Sequence, residues 1–446
     1  MKNTNKGIAK KKIAFVSLGC AKNLVNTEQM MYMLSGAGYE VTGETDGANA
    51  VVINTCSFIE SAKMEAIETI LEFAGIKEKG GLERIIVTGC LPERYKEEIL
   101  RELPEIDAVL GTGSFDRIVE AVEGKPESCG KPAFFDDINA PASEGGRIIT
   151  SSNVWAYLKI AEGCDNRCAY CVIPDIRGRY RSREPGNIIR EAESLVRRGI
   201  KELIIVAQDV TRYGLDLYGR RELAQLLGRL EELEGLKWVR LHYLYPDMID
   251  DGLIDVIAKS GKITKYLDIP IQHVNDAILR NMRRRGTGDS IRELFGRLRE
   301  RIPGLALRTS IITGLPGEGE KEFEELYGFL KETKIERAGI FAYSPEEGTP
   351  AASMEHPDRE TAERRAGQLR DVQAQVMGAY NEGRIGSLET VLIEGINENG
   401  YYGRSYAESP EIDGYIKVKG RRAAVDEFAD VRITAVEGAE PVGHFV

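Results

Sequence analysis

Seven cysteines mark where this chain could do chemistry, and three of them, Cys164, Cys168 and Cys171, are spaced Cys-x-x-x-Cys-x-x-Cys. They follow a strand-like run, Tyr157–Ala161, and Tyr170 directly precedes the third cysteine. Three thiolates on one short loop can ligate three irons of a cubane and leave the fourth iron open to a small molecule. The amino and carboxylate groups of S-adenosylmethionine (SAM) can chelate that open corner. An electron from the cluster can then cleave a carbon–sulfur bond of SAM, chemistry that a protein mainly positions. The competing assignment is zinc. Zinc usually takes four ligands, often from paired C-x-x-C motifs, and no fourth Cys or His lies near this loop in the sequence.

Cys20, Cys56 and Cys90 are far apart in sequence but share a context. Phe15-Val-Ser-Leu-Gly-Cys20, Val51-Val-Ile-Asn-Thr-Cys56 and Ile85-Ile-Val-Thr-Gly-Cys90 each end an apolar strand with a cysteine. In an open parallel sheet the strand C-termini line one edge, where ligands bind. Three cysteines there could converge on a second three-thiolate cluster with an open iron. The alternative is three buried structural cysteines, since a free cysteine packs well inside. Cys129 has no such context and reads as an incidental thiol. An odd cysteine count in a chain expected to be cytoplasmic argues against a disulfide framework.

Positioning both sets calls for more than one domain, and 446 residues allow two or three. Apolar runs at Lys12–Leu18, Ala50–Ile53 and Arg84–Thr88 alternate with helix patterns at about Thr27–Leu34, Ser61–Phe73 and Pro92–Leu103. That alternation predicts a parallel α/β sheet domain over 12–123. Residues 124–152, rich in Gly, Pro, Ser and Asp, read as a linker. A second β/α series runs over 153–384. Its strands are Tyr157–Ala161, Leu203–Ala207, Lys237–His242, Tyr266–Pro270, Leu305–Thr313 and Gly339–Tyr343. In Asn187–Arg198 the residues Ile188, Ile189, Ala192, Leu195 and Val196 share one helix face. Six such units predict a partial TIM-type (β/α)6 barrel, with the Cys164 loop at the C-terminal end of its first strand, where a barrel's chemistry belongs. Over 385–446 the short runs Thr390–Ile393, Tyr401–Ala407, Tyr415–Val418 and Val431–Val436 predict a small all-β barrel.

Apolar residues are 42% and charged residues 29% of the chain, as in soluble globular proteins. No apolar run approaches the roughly 18–20 residues of a membrane helix, and Met1–Lys12 is a polar, lysine-bearing leader without a signal-peptide core. A cytoplasmic chain without membrane contact is expected. A net charge of −11 disfavours non-specific coating of nucleic acid.

Ser17-Leu-Gly-Cys20-Ala-Lys-Asn23, Asn54-Thr-Cys56, Thr88-Gly-Cys90 and the Cys164 loop together resemble the methylthiotransferase family of radical SAM enzymes. The resemblance runs from about Lys12 to the end. Two branches compete. The first set of residues, with Ile173-Pro-Asp-Ile-Arg-Gly178 and Asp268-Ile-Pro-Ile-Gln-His-Val-Asn275, looks like the branch called RimO, which modifies an aspartate of small-subunit ribosomal protein twelve. Ala21 departs from that pattern, where proline is commoner. The other branch, MiaB, modifies an isopentenylated adenosine in tRNA and typically carries Tyr-Gly-Cys-Gln-Met-Asn at the first cysteine.

The resemblance implies two 4Fe–4S clusters and a central radical SAM barrel. One SAM supplies a methyl group to sulfur held at the cluster on Cys20, Cys56 and Cys90. A second is cleaved at the cluster on Cys164, Cys168 and Cys171. The resulting 5′-deoxyadenosyl radical abstracts hydrogen from the aspartate β-carbon, which then takes the methylthio group. The implied partners are the ribosomal protein, free or in the small ribosomal subunit, and an electron donor such as flavodoxin or ferredoxin. The chain is expected to act as a monomer, and no catalytic residue beyond the cluster ligands is implied.

Tyr170, Gln208, Arg308 and Gly314 are candidate SAM contacts. Gly314 lies in Ile311-Ile-Thr-Gly314-Leu-Pro-Gly317-Glu318, a glycine turn of the kind that lets backbone approach a ligand. Arg308 could pair with the SAM carboxylate. Ordinary turns and a surface arginine are the alternative. Arg177, Arg179, Arg181 and Arg183 alternate after the cluster loop. They suit an acidic substrate, the SAM carboxylate or RNA, and equally a solvated face or ion pairs. Arg283, Arg284 and Arg285 read as surface, and His242 and His273 as satisfied structural histidines rather than ligands.

The C-terminal segment looks like a TRAM domain, a fold common in RNA-modifying enzymes. From Gly386 onward it has six Lys/Arg against eleven Asp/Glu, a net charge of −5. An RNA-gripping module should be basic, whereas an acidic one suits a basic protein partner or merely caps the barrel. The rivals to a ribosomal-protein methylthiotransferase are therefore a tRNA methylthiotransferase and a non-catalytic iron–sulfur or zinc scaffold.

Overall fold

The computed structural model describes residues 11–124, 130–398, 400–420 and 424–446. Cys129 and most of the N-terminal leader lie outside the described residues. The chain forms two compact units. The first takes residues up to Thr150 together with Ala161–Arg167 and Cys171–Asn187, and the second takes the rest.

In the first unit, strands β1 (Lys12–Ser17), β2 (Glu40–Thr42), β3 (Ala50–Thr55), β4 (Arg84–Gly89), β5 (Ala108–Leu110) and β6 (Ala133–Phe134) form one sheet. Its order is β2-β1-β3-β4-β5-β6, and every pair is parallel. Both faces are covered, so β3 is buried along its whole length, as its unbroken apolar run requires. Alternation divides the strand. Val51 and Ile53 pack with Ile70 and Phe73 of α2 (Glu60–Glu78). Val52 packs with Met30 and Leu34 of α1 (Ala21–Gly36).

Three expectations change. Helix α1 starts at Ala21 rather than Thr27, with Cys20 as its N-cap. The single helix expected over Pro92–Leu103 is two, α3 (Cys90–Tyr95) and α4 (Glu98–Glu102), because the backbone leaves the helix at Lys96, where φ is 51°. Residues 124–152, read as a linker, contribute β6. The same stretch is fastened to α1, where the buried Glu28 carboxylate meets Arg147 at 3.1 Å and accepts from the Thr150 N–H at 2.7 Å. A two-residue strand carries too little periodicity to be read from sequence. The helix Ile118–Glu123, here α5, closes the series, and α6 (Ile173–Arg177) also belongs to this unit. So does a short antiparallel ribbon of β8 (Ala161–Glu162) and β9 (Arg181–Ser182).

The second unit holds β7 (Trp155–Lys159), β10 (Glu202–Val206), β11 (Trp238–Leu241), β12 (Ile263–Asp268), β13 (Ala306–Thr313) and β14 (Arg337–Ala342). They form a six-stranded parallel sheet in the order β14-β13-β12-β11-β10-β7, joined by helices, the partial barrel expected. The helix Pro185–Arg197 buries Ile188, Ala192 and Leu195, one face of its turn repeat.

The C-terminal strands β15 (Leu388–Asn397), β16 (Gly400–Arg404), β17 (Ile416–Lys419), β18 (Phe428–Glu437) and β19 (Glu440–Phe445) close into a barrel. Val391, Ile393, Ile416, Val418, Val431 and Ile433 fill it. The last strand was not expected, its pattern being broken by Pro441 and Gly443.

This barrel is tied to the sheet by buried charge. Glu202 of β10 accepts from Arg240 at 2.7 Å and from Arg404 at 2.8 Å, all three side chains having no solvent exposure. Glu408 sits between Arg337 and Arg384. Burial works against its charge, but the two guanidinium groups hold its carboxyl at about 2. Buried charges are tolerated only when paired in this way. Among the described residues no helix is long and apolar enough to cross a membrane.

Candidate functional site

Strands β1, β3 and β4 are neighbours and parallel, and Cys20, Cys56 and Cys90 stand at or just past their C-terminal ends. Side-chain amides and hydroxyls tie those ends together. Asn23 donates to the Leu18 carbonyl (3.1 Å) and the Thr55 carbonyl (2.9 Å). Asn54 donates to the Asn23 carbonyl (2.8 Å) and to Thr27 (2.9 Å), and Thr55 donates to the Thr88 carbonyl (2.7 Å). At Gly19, with φ of 88°, an added Cβ would stand 2.6 Å from the Cβ of Cys56. Only glycine permits that approach and that backbone.

The three thiols feel one another. Burial pushes Cys56 up to about 12, with Cys90 and Cys20 adding to it. Burial likewise raises Cys90, against the pull of Arg177. Cys20 goes the other way. Burial opposes its ionisation, but Lys22, Arg177 and the N–H groups of Asn23 and Lys22 outweigh it. Arg177, on α6, is buried and donates to the Cys90 sulfur (3.4 Å) and to Asn26 (3.1 Å). It also bonds Asn23 and stands 3.5 Å from Glu162. Val172 and Ile176 of the same segment form one buried apolar cluster with Cys90.

Among the described residues no three His, Cys, Asp or Glu side chains are arranged to grip a single metal ion. A cubane asks for something else, since each thiolate takes a different iron and the sulfurs stand apart. The donor set suits such a group. It offers three mutually interacting thiols, a buried guanidinium, and next to Cys56 the fully buried Ser57, whose hydroxyl finds no hydrogen-bond partner among the described residues.

Cys164 and Cys168 are buried, Cys171 is half-buried, and among the described residues none is in a disulfide. In the first unit the Cys164 N–H donates to the Gly178 carbonyl (3.1 Å), and Asp165 accepts from the Tyr180 N–H (3.0 Å). In the second, Ala169 donates to the Met282 carbonyl (3.0 Å) and accepts from the Ala351 N–H (2.9 Å). The Cys168 sulfur lies 3.4 Å from the Tyr245 hydroxyl. Arg284 packs 4.2 Å over the Tyr245 ring and reaches the Tyr170 hydroxyl at 3.5 Å and the Cys168 sulfur at 4.0 Å. The expectation that Arg283–Arg285 are all surface is corrected at Arg284, which is buried between two exposed arginines. No periodicity marks it out; the buried Met282, two positions earlier, is the only sequence hint.

The other candidates are placed as follows. Gln208, half-buried, follows the C-terminal end of β10. Arg308, on β13, is held by Asp268 at 2.8 Å and stands 3.8 Å from Asp413. Gly314 donates its N–H to Glu318 (2.9 Å), and Ala362 fills the direction a side chain would take. The alternating arginines divide by burial. Besides Arg177, Arg183 is buried on Glu144 (3.0 Å), Arg181 donates to nearby carbonyls, and Arg179 is exposed. His242 is buried 2.8 Å from Ser409, and His273 is buried 3.3 Å from Glu318.

A parallel sheet of βα units with a Cys-x-x-x-Cys-x-x-Cys loop after its first strand, and a closed five-stranded barrel at its C-terminus, defines a radical SAM enzyme with a TRAM domain. The pattern of the radical SAM superfamily matches residues 158–330 and that of the TRAM domain residues 385–446. An uncharacterised protein family, UPF0004, matches residues 12–111. Among solved structures, the radical SAM methyltransferase TsrM from Kitasatospora setae shares the fold. Its TM-score is 0.58 at 15% identity, over 77% of either chain. Among curated proteins, the ribosomal protein uS12 methylthiotransferase RimO of Acetivibrio thermocellus is 44% identical, over 98% of this chain and 99% of that one. RimO of Geobacter sulfurreducens is 45% identical, over 98% and 99%. The chain belongs to the RimO family of radical SAM methylthiotransferases.

Proposed function

We propose that this chain methylthiolates the β-carbon of an aspartate in ribosomal protein uS12, free or in the small subunit. It does so as a cytoplasmic monomer with two 4Fe–4S clusters, one on Cys20, Cys56 and Cys90 and one on Cys164, Cys168 and Cys171. The observation that carries this reading is the meeting of Cys90 with Val172, the residue after Cys171, in one buried cluster. It brings the two cysteine segments together, as handing a methylthio group to a radical centre demands.

When bound, the clusters and SAM supply the 5′-deoxyadenosyl radical and the methylthio group, with electrons from a flavodoxin- or ferredoxin-class donor. The chain's own residues position and shield. Asn23, Asn54 and Thr55 fix the three strand ends. Tyr245 and Arg284 brace Cys168, and Tyr170, Gln208, Arg308 and Gly314 are the candidate SAM contacts. The acidic C-terminal barrel suits a basic protein substrate better than RNA, and the uS12 methylthiotransferase names of the relatives agree.

The test incubates reconstituted, reduced enzyme and SAM with uS12 and, separately, with isopentenylated tRNA, followed by mass spectrometry. The expected result is one methylthio group replacing one hydrogen on a uS12 aspartate. Modification of the tRNA alone would overturn the substrate assignment.

A further inference from the structure

The Arg177 guanidinium donates a hydrogen bond directly to the Cys90 thiol of the first trio, at 3.4 Å. Its orientation is set independently of any cluster. The guanidinium is gripped by the side-chain oxygens of Asn23 and Asn26 on α1, and Thr112 pins α6 by donating to the Ile176 carbonyl at 2.5 Å. Glu162 lies 3.5 Å from Arg177 and partly offsets its charge. Arg177 and Glu162 are both buried, so little solvent screens them.

We propose that Arg177 is a positioning residue for the cluster on Cys20, Cys56 and Cys90, a fixed counter-charge that raises the potential at which that cluster accepts an electron. The inference rests on the two-cluster reading given above. Three thiolates already outweigh the positive charge of a cubane core, and reduction adds one more negative charge. Net charge and hydrogen bonds to sulfur are the levers by which a protein sets such a potential. A guanidinium donating to a ligand sulfur uses both. Without it, the oxidised cluster gains relative to the reduced one.

The test isolates the first site in full-length Cys168→Ser protein, reconstituted anaerobically, with iron analysis and an electron paramagnetic resonance redox titration. In that background Arg177→Gln should keep its iron. Its reduced-to-oxidised ratio at a fixed poise should fall about tenfold, a shift of about 59 mV to lower potential for a one-electron couple. Arg177→Lys, which keeps the charge, should stay near the parent. Loss of the cluster from Arg177→Gln but not from Arg177→Lys would also support the role. An unchanged potential in Arg177→Gln would overturn it, and so would equal loss of iron from both variants, which would make the contact one of packing rather than charge. If the Cys168→Ser parent itself holds no cluster, the two-cluster reading fails, which is a different result from any of these.

Discussion

The two cysteine sets are held by different means. Cys164, Cys168 and Cys171 lie within eight residues of chain, so covalent connection supplies most of their proximity. Cys20, Cys56 and Cys90 span 71 residues and meet only because β1, β3 and β4 are adjacent and parallel. The bracing differs too. The first set is stitched by neutral amides and hydroxyls and faces a buried arginine held by α1. The loop is held at Ala169 by backbone hydrogen bonds and at Cys168 by a tyrosine and an arginine. A sheet-built site exists only once the sheet has folded, so its loading is coupled to the stability of that unit. A loop-built site can take iron with less of the fold in place.

Removing one ligand from each set separates the two sites most directly. Cys20→Ser and Cys168→Ser should each lower iron from about eight to about four per chain. Only the second should abolish 5′-deoxyadenosine formation from reduced enzyme and SAM. Unchanged iron in Cys20→Ser would leave the sheet edge as mere packing.

A smaller effect is expected from the glycines that precede the ligands. In Gly19→Ala the new Cβ would press on Cys56, and in Gly163→Ala it would collide with the Arg179 carbonyl. Both positions have positive φ, and forcing a side chain there costs on the order of 1–3 kcal/mol. Gly19→Ala should shed iron from the first site while 5′-deoxyadenosine still forms, and Gly163→Ala the reverse. If each variant lost both clusters alike, the sites would not be separable.

The smallest effect belongs to Tyr245→Phe, which deletes one hydrogen bond to Cys168 worth about 1 kcal/mol. Iron should remain at about eight, with 5′-deoxyadenosine formed about fivefold more slowly. An unaltered rate would mean that the phenol only fills space.

The same contrast explains what could be read from the residues alone. The loop's spacing is local, so sequence exposes it directly. The sheet trio was legible only through its repeated placement at strand ends, a tertiary inference drawn from parallel-sheet geometry. Helix and strand order in the six-stranded sheet of the second unit followed from periodicity, as the Ile188, Ala192 and Leu195 face illustrates. Strands β6 and β19 escaped because one has two residues and the other is interrupted by Pro441 and Gly443. Arg284 escaped because three consecutive arginines look alike until the backbone turns one inward. Arg183 was legible as an arginine, but its partner Glu144 lies 39 residues away, in what reads as a linker.

The fully buried Arg404–Glu202–Arg240 chain bears on how this architecture can be re-engineered or exchanged between relatives. Grafting a foreign C-terminal module onto this core would leave Glu202 with one guanidinium, and Glu408 would no longer be there to meet Arg337. An orphaned interior charge of that kind costs about 3–5 kcal/mol. A viable chimera therefore has to carry its strand-borne partners with it, so the module travels as a matched set with Glu202, Arg240 and Arg337 rather than as an interchangeable cassette.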